Sequence, residues 1–241
     1  MDKLLILSDI HANWPALQAV VQAESDYDTV VFCGDVVDYG PLPIDCVHWV
    51  REHCRHAVRG NHDNALAFDV DCQCMGSFRA YSLATRAWHR RLLSEADVDF
   101  LRQMPLVDWF EWNGRHFRMA HATPRGDLFQ YLSPDEWAGH VEAIDSDFIL
   151  LGHTHVQGSR TFGRVTVVNP GSVGLARDRG GEACYAVLED GRLSLKRIPY
   201  DVSETIRELR SAPLPGEVVA GLTGVLTPKG PTDAIAAPPL E

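Results

Sequence analysis

The chain has 241 residues, 45% of them hydrophobic and 23% charged, with 33 acidic side chains against 22 Lys and Arg. That length buries a substantial core, and that composition excludes a disordered or collagen-like chain. The formal charge of −11 argues against broad nucleic-acid binding, which needs clustered Lys and Arg, and no apolar run approaches the roughly 20 residues of a membrane helix.

Residues 4–7 are a wholly apolar run ended by Ser8-Asp9, the pattern of a buried strand. Asn13 can cap and Pro15 fits the first turn of a helix over residues 14–24, where Leu17, Val20 and Val21 recur at helical spacing. A second strand is expected at 30–33. A second helix follows the turn Gly40-Pro41-Leu42-Pro43, marked by Cys46, Val47 and Val50, and Ala57-Val58 is a third short strand. This alternation predicts a parallel layered sheet with right-handed crossovers, in which functional residues gather at the carboxyl ends of the strands.

Residues 64–104 read as helical, a lid or side elaboration with Leu83, Ala87, Leu92 and Leu101 as its apolar positions. Strands resume at 107–112 and 117–120 around the hairpin signal Asn113-Gly114, and again at 148–151, 165–168, 184–188 and 193–198. A last helix covers 201–210. Beyond it Pro, Gly, Ala and Val without a period predict an extended tail over 212–241, so that residues 1–211 form the one folded domain. The six cysteines are expected as free thiols and the pair Cys72 and Cys74 is assigned no role. The first apolar run is too short for an export signal, and a cytoplasmic location is expected.

A lone Asp-x-His such as Asp9-Ile10-His11 is weak evidence, because strand ends often carry Asp as a helix cap and His as a partly buried polar residue. Repetition changes that. Asp35 comes 26 residues after Asp9, and Asn61 comes 26 after Asp35, one strand-helix period each time, so three oxygen donors arrive side by side. His121 follows the strand at 117–120. His153 and His155 follow the strand at 148–151 as alternate residues, a spacing that can address two adjacent ions. Mixed carboxylate, amide and imidazole donors suit Mn first, and Fe, Zn, Co or Ni after it, better than Ca or Mg.

Together Asp9-x-His11, Gly34-Asp35-x-x-Asp38, Gly60-Asn61-His62-Asp63, His121 and Gly152-His153-x-His155 resemble the motif set of the calcineurin-like metallophosphoesterases, of the small bacterial phosphodiesterase type. The resemblance runs from residue 4 to about residue 190. It implies an α/β fold, a four-layer α/β/β/α sandwich of two mixed sheets flanked by helices, with the helical insertion to one side. It also implies one divalent ion on Asp9, His11, Asp35 and His155 and a second on Asp35, Asn61, His121 and His153, with Asp35 as the bridge. The activity implied is hydrolysis of the phosphate diester or monoester of a small nucleotide-like substrate by a hydroxide shared between the ions. His62 is the candidate proton donor and Asp38 the carboxylate that orients it.

Arg125 and Arg177 are candidate phosphate clamps, since a guanidinium matches two phosphate oxygens at once. The same fold also resembles a catalytically idle scaffold that binds protein partners. The presence of all seven ligand positions together with His62 favours the enzyme. Asp63 reads as a helix cap or as a support of the site. The remaining histidines, His89 among them, read as surface or partly buried residues.

Overall fold

In the computed structural model, which describes residues 2–228, ten strands form two mixed five-stranded sheets. The first sheet contains β1 (Lys3–Leu7), β2 (Thr29–Phe32), β3 (His56–Ala57), β9 (Glu182–Glu189) and β10 (Arg192–Pro199) in the order β10-β9-β1-β2-β3. Its β1, β2 and β3 run parallel, while β9 is antiparallel to β1 and β10 to β9. The crossovers are α1 (Trp14–Ala23) and α2 (Pro43–His53). In the second sheet β4 (Val107–Trp112), β5 (Arg115–Ala120), β6 (Phe148–Leu150), β8 (Val165–Asn169) and β7 (Gly158–Phe162) lie in that order.

Side-chain alternation along β1 explains the layering. Leu4 and Ile6 enter the core between the sheets with Phe117, Met119, Phe148 and Leu150. Leu5 and Leu7 face the other way and pack with Leu17 and Val20 of α1 and Val47 and Val50 of α2. Burial on both faces is why the strand reads as an unbroken apolar run; each such side chain contributes roughly 1.5–3 kcal/mol. On the outer face of the second sheet, α6 (Trp137–Val141) sets Trp137 and Val141 against Ile149, Val165 and Val167. The result is the expected four-layer α/β/β/α sandwich.

Two elements depart from expectation. The strand β7 has no apolar alternation, since its middle residues Ser159, Arg160 and Thr161 are exposed, and its pairing with β8 is settled by the sheet edge alone. The predicted extended tail is corrected over α8 (Gly216–Leu226), a helix with Val218, Leu222, Val225 and Leu226 buried. These side chains pack with Tyr39, Leu175 and Leu209, which draws α8 into the domain past the expected boundary at 211. Tertiary burial supplies the stability that its glycine-rich sequence does not. Residues 229–241 of the predicted tail lie outside the described residues.

The segment 64–104 is helical as expected. It is divided into the greater part of α3 (Asn61–Phe68), α4 (Ser77–Leu92) and α5 (Glu95–Gln103). Among the described residues no helix is long and apolar enough to cross a membrane.

Candidate metal centre

Every predicted ligand lies just past a strand: Asp9 and His11 after β1, Asp35 after β2, Asn61 after β3, His121 after β5, and His153 and His155 after β6. The chain turns sharply there. Asp9, His11, Asp35, His153 and His155 all adopt positive φ, between 46° and 68°, a conformation that costs a non-glycine residue of order 1 kcal/mol or more and that clusters at functional sites. Main-chain bonds hold the strained turns together: Asp9 N–H donates to Gly34 O at 2.9 Å, and His11 N–H to Asp35 O at 3.0 Å. The close approach also requires glycine. A Cβ on Gly34, where φ is +98°, would stand 2.8 Å from His121 Nδ1, and one on Gly152 would meet Ser8 Oγ at 2.0 Å.

The donor atoms converge in two buried groups, Asp9 with His11 and His155, and Asp35 with His121 and His153. Tautomers follow from the hydrogen bonds on the far side of each ring. His11 Nδ1 lies 2.8 Å from Val37 O, His155 Nδ1 2.7 Å from Leu175 O, and His121 Nδ1 2.7 Å from Cys33 O. Each of these nitrogens donates, so each ring in its neutral form turns the lone pair of Nε2 inward. The two inward atoms of His11 and His155 are then only 3.1 Å apart. Two lone pairs at that distance repel unless a cation or a proton sits between them.

The other group has the same character. His121 Nε2 faces Asp35 Oδ2 at 3.0 Å and Asn61 Oδ1 at 3.2 Å, and His153 Nδ1 lies 3.1 Å from the same Asn61 oxygen. Asn61 presents its oxygen because its amide nitrogen donates to Cys72 O at 2.8 Å. Asp9 Oδ1 and His153 Nε2 are buried without a hydrogen-bond partner. A site that crowds acceptors and orphans a carboxylate oxygen fits divalent cations. Burial pushes the His11 imidazole down to about 3, leaving a neutral ring. At His121 burial is outweighed by the Asp35 carboxylate, and the pKa rises to about 9; a field that draws a proton draws a cation too.

His62 stands beside this group. Its Nδ1 lies 2.7 Å from Asp38 Oδ2 and its Nε2 3.3 Å from the Tyr39 hydroxyl. Burial lowers its pKa, but the charges of Asp35 and Asp38 outweigh burial and the net shift is upward. Asp63 serves both readings offered for it: its carboxylate accepts from Gly60 N at 3.1 Å at the start of α3, and from Asp35 N at 2.7 Å and Val36 N at 2.8 Å.

Sequence reasoning missed the layer that holds Asp38. One face of α4 carries Ser82, Thr85, Arg86 and His89, all buried. Ser82 Oγ donates to Asp38 Oδ2 at 2.6 Å and Arg86 Nη2 donates to it at 2.9 Å. His89 Nδ1 accepts the Asp38 N–H at 3.1 Å, and its Nε2 donates to Gly40 O at 2.9 Å. The expectation that His89 is an ordinary surface or partly buried histidine is therefore corrected: it is fully buried, and burial drives its pKa to about 4. The spacing i, i+3, i+4, i+7 was the available signal, but a polar stripe on a helix ordinarily faces water. Arg86→Ala should destabilise the protein by about 3–5 kcal/mol, because Asp38 is left as a buried charge with too few partners. Urea unfolding checks this; a loss below about 1 kcal/mol would show the pair to be dispensable.

The two arginines separate. Arg177 places its guanidinium 4.3 Å over the Phe78 ring with a buried, unpartnered Nε; burial lowers the pKa of both His153 and His155, and the Arg177 charge adds to the effect. Tyr131 lies on the same side, its ring centroid 4.1 Å from that of His153. Arg125 is exposed and reaches Glu142 O at 3.4 Å. Among the described residues no hydrogen bond or ion pair joins it to the ligand groups.

Comparison with known proteins agrees with this geometry. A crystal structure of a metallophosphoesterase from Sphaerobacter thermophilus superposes with a TM-score of 0.78 at 27% identity, over 94% of this chain and 99% of that one. The Escherichia coli K12 protein named phosphodiesterase YfcE is 27% identical over 208 residues, 81% of this chain and 91% of its own. An archaeal relative from Methanocaldococcus jannaschii, named uncharacterized protein MJ0912, is also 27% identical, over 88% of this chain and 93% of its own. The model of the calcineurin-like phosphoesterase superfamily domain matches residues 3–191, a span that takes in nine of the ten described strands, all but β10, and all seven converging donors. The chain belongs to the calcineurin-like phosphoesterase superfamily.

Proposed function

We propose that the chain hydrolyses phosphate esters of a small, nucleotide-like substrate with the help of two divalent ions, manganese first among them. The observation that carries this reading is the inward crowding of acceptors, above all the His11 and His155 nitrogens at 3.1 Å beside an unpartnered Asp9 oxygen. Asp9, His11, Asp35 and His155 would hold one ion and Asp35, Asn61, His121 and His153 the other. When bound, such a pair lowers the pKa of a water and neutralises charge on the phosphoryl oxygens.

The remaining work falls to the chain. His62, oriented through Nδ1 by Asp38, offers a proton at Nε2 to the departing oxygen, where charge develops as the bond to phosphorus breaks. Arg177, steadied on Phe78, supplies a guanidinium for a phosphate oxygen. His62 is buried, which strengthens its interactions with Asp38 and with the departing oxygen. A catalytically idle scaffold has no use for a donor set this complete.

The test is a screen of manganese-loaded protein against bis-p-nitrophenyl phosphate, p-nitrophenyl phosphate, cyclic nucleotides and dinucleoside polyphosphates, with Asp35→Asn as the blank. Hydrolysis by the wild type alone is the expected result. No turnover with any divalent ion would revive the scaffold, and equal turnover by the blank would point to a contaminant.

A further inference from the structure

Between α3 and α4 the segment 69–76 crosses the edge of the metal centre without regular structure. Its residues alternate. Asp71, Gln73 and Met75 are exposed, while Cys72 and Cys74 turn inward and are 2% and 3% exposed. Gln73 between them adopts φ +56°, a left-handed bend that curls the chain and brings its two neighbours to the same side. Their sulfurs lie 2.6 Å apart, and neither thiol has been given a part in the chemistry above.

Both thiols connect to that chemistry. The Cys72 carbonyl accepts from the Asn61 amide at 2.8 Å, the bond that turns the Asn61 oxygen inward. Cys72 Sγ lies 3.4 Å from Ser82 Oγ, which in turn donates to Asp38 at 2.6 Å. We propose that Cys72 and Cys74 form a reversible disulfide, made by a peroxide, that governs how firmly the loop holds Asn61 at the metal centre. The effect on Asn61 rests on the metal-centre reading; the disulfide itself does not.

The chemistry balances with hydrogen peroxide as the oxidant. One sulfur, as thiolate, attacks a peroxide oxygen, the O–O bond breaks, and the departing hydroxide takes a proton and leaves as water, giving a sulfenic acid. The second thiol, losing its proton, then displaces hydroxide from that sulfur, forms the S–S bond and releases a second water. The two sulfurs together lose two electrons and the peroxide gains them. A small dithiol restores the pair by exchange through a mixed disulfide. Peroxide is small enough to pass a loop only one residue thick.

Direction follows from the packing. With both thiols free, only the packing of the loop holds the bend at Gln73 and the bond from Asn61 to the Cys72 carbonyl. Cross-linked, the loop keeps the bend at Gln73 and the Asn61 amide keeps its partner, so the oxidised protein has the better-organised site.

The experiment uses the full chain, treated with hydrogen peroxide or with dithiothreitol and then freed of both. Peptide mass spectrometry reads the bond, and titration calorimetry with manganese reads the site. Oxidised protein is expected to carry the link between Cys72 and Cys74, about 2 Da lighter than the dithiol, and to bind the weaker of its manganese ions roughly fivefold tighter or more than the reduced protein. Cys74→Ser should bind as the reduced protein does whatever the treatment. Absence of the link after peroxide overturns the proposal, as does equal manganese affinity in the two wild-type states, a comparison that needs no variant. A peroxide response in Cys74→Ser equal to that of the wild type overturns it too. A link without manganese binding in either state overturns the metal-centre reading and the coupling with it, and leaves the disulfide established.

Discussion

Asp35→Asn is expected to lower phosphoester hydrolysis by about 10³-fold or more, a loss of at least ~4 kcal/mol of transition-state stabilisation, while the fold survives. In the proposed reading Asp35 is the donor that would serve both ions. Its Oδ2 faces His121 Nε2 at 3.0 Å and its Oδ1 accepts the His62 N–H at 2.8 Å. Asparagine keeps the shape, retains an oxygen for the His62 amide and can offer an N–H to His121, so no buried group is orphaned. What disappears is the negative charge. Burial and the neighbouring Asp63 carboxylate disfavour that charge, but His121 and His62 outweigh them and hold the Asp35 pKa well below the usual carboxylate range, so in chelator the variant should unfold at a temperature no higher than the wild type.

Manganese should widen that difference. A ligand at 100 times its dissociation constant stabilises a protein by about 2.7 kcal/mol; the wild type should show a gain of that size on loading, and Asp35→Asn a much smaller one. Thermal unfolding with and without manganese, alongside the rate measurement, checks both halves. Equal stabilisation of the two proteins would remove Asp35 from the metal centre.

The strained turns give the same conclusion from the backbone. Five ligand positions with positive φ together cost several kcal/mol, and the main chain offsets part of this through bonds such as Ala12 N–H to Val36 O at 2.8 Å and Gly174 N–H to Asp9 O at 3.0 Å. Asp and His tolerate those angles better than most residues, yet five such turns gathered at one site still store strain, which marks a site selected for how it binds rather than for how it folds.

The convergence of the candidate ligands was legible in the sequence because each follows a strand, and β1, β2 and β6 are largely apolar runs, after which a polar residue is conspicuous and where parallel sheets gather their function. Asp9, Asp35 and Asn61 repeat at one period, and the histidines fall after β5 and β6 for the same reason. Arg86 and His89 were not legible. Their spacing shows one helix face, but only the fold of α4 back over Asp38 shows that this face is covered. The helix α8 was hidden likewise, since Val218 and Leu222 are buried in a cluster with Tyr39 and Leu175, far away in sequence. Arg125 and Arg177 looked alike as residues, and only packing on Phe78 distinguishes the one that faces the site.

The second large effect concerns His62. His62→Ala should reduce turnover by about 10²–10⁴ with manganese affinity unchanged, because the side chain donates no atom to either ligand group. The loss should depend on the leaving group. A p-nitrophenolate departs readily as an anion and needs little help, whereas an alkoxide must be protonated as it leaves, so an alkyl ester should suffer far more than an aryl one. A positional role alone would slow both substrates equally. The pH profile supplies a second check. Asp35 and Asp38 outweigh burial and raise the His62 pKa above its ordinary value, so the donating proton is present below that raised value and is lost as pH rises through it. For an alkyl substrate kcat/KM should therefore fall on the alkaline side in the wild type, and that limb should be missing in His62→Ala. An unchanged alkaline limb in the variant would assign the proton to another group, and equal losses on aryl and alkyl esters would leave His62 as a support for Asp38 rather than the acid.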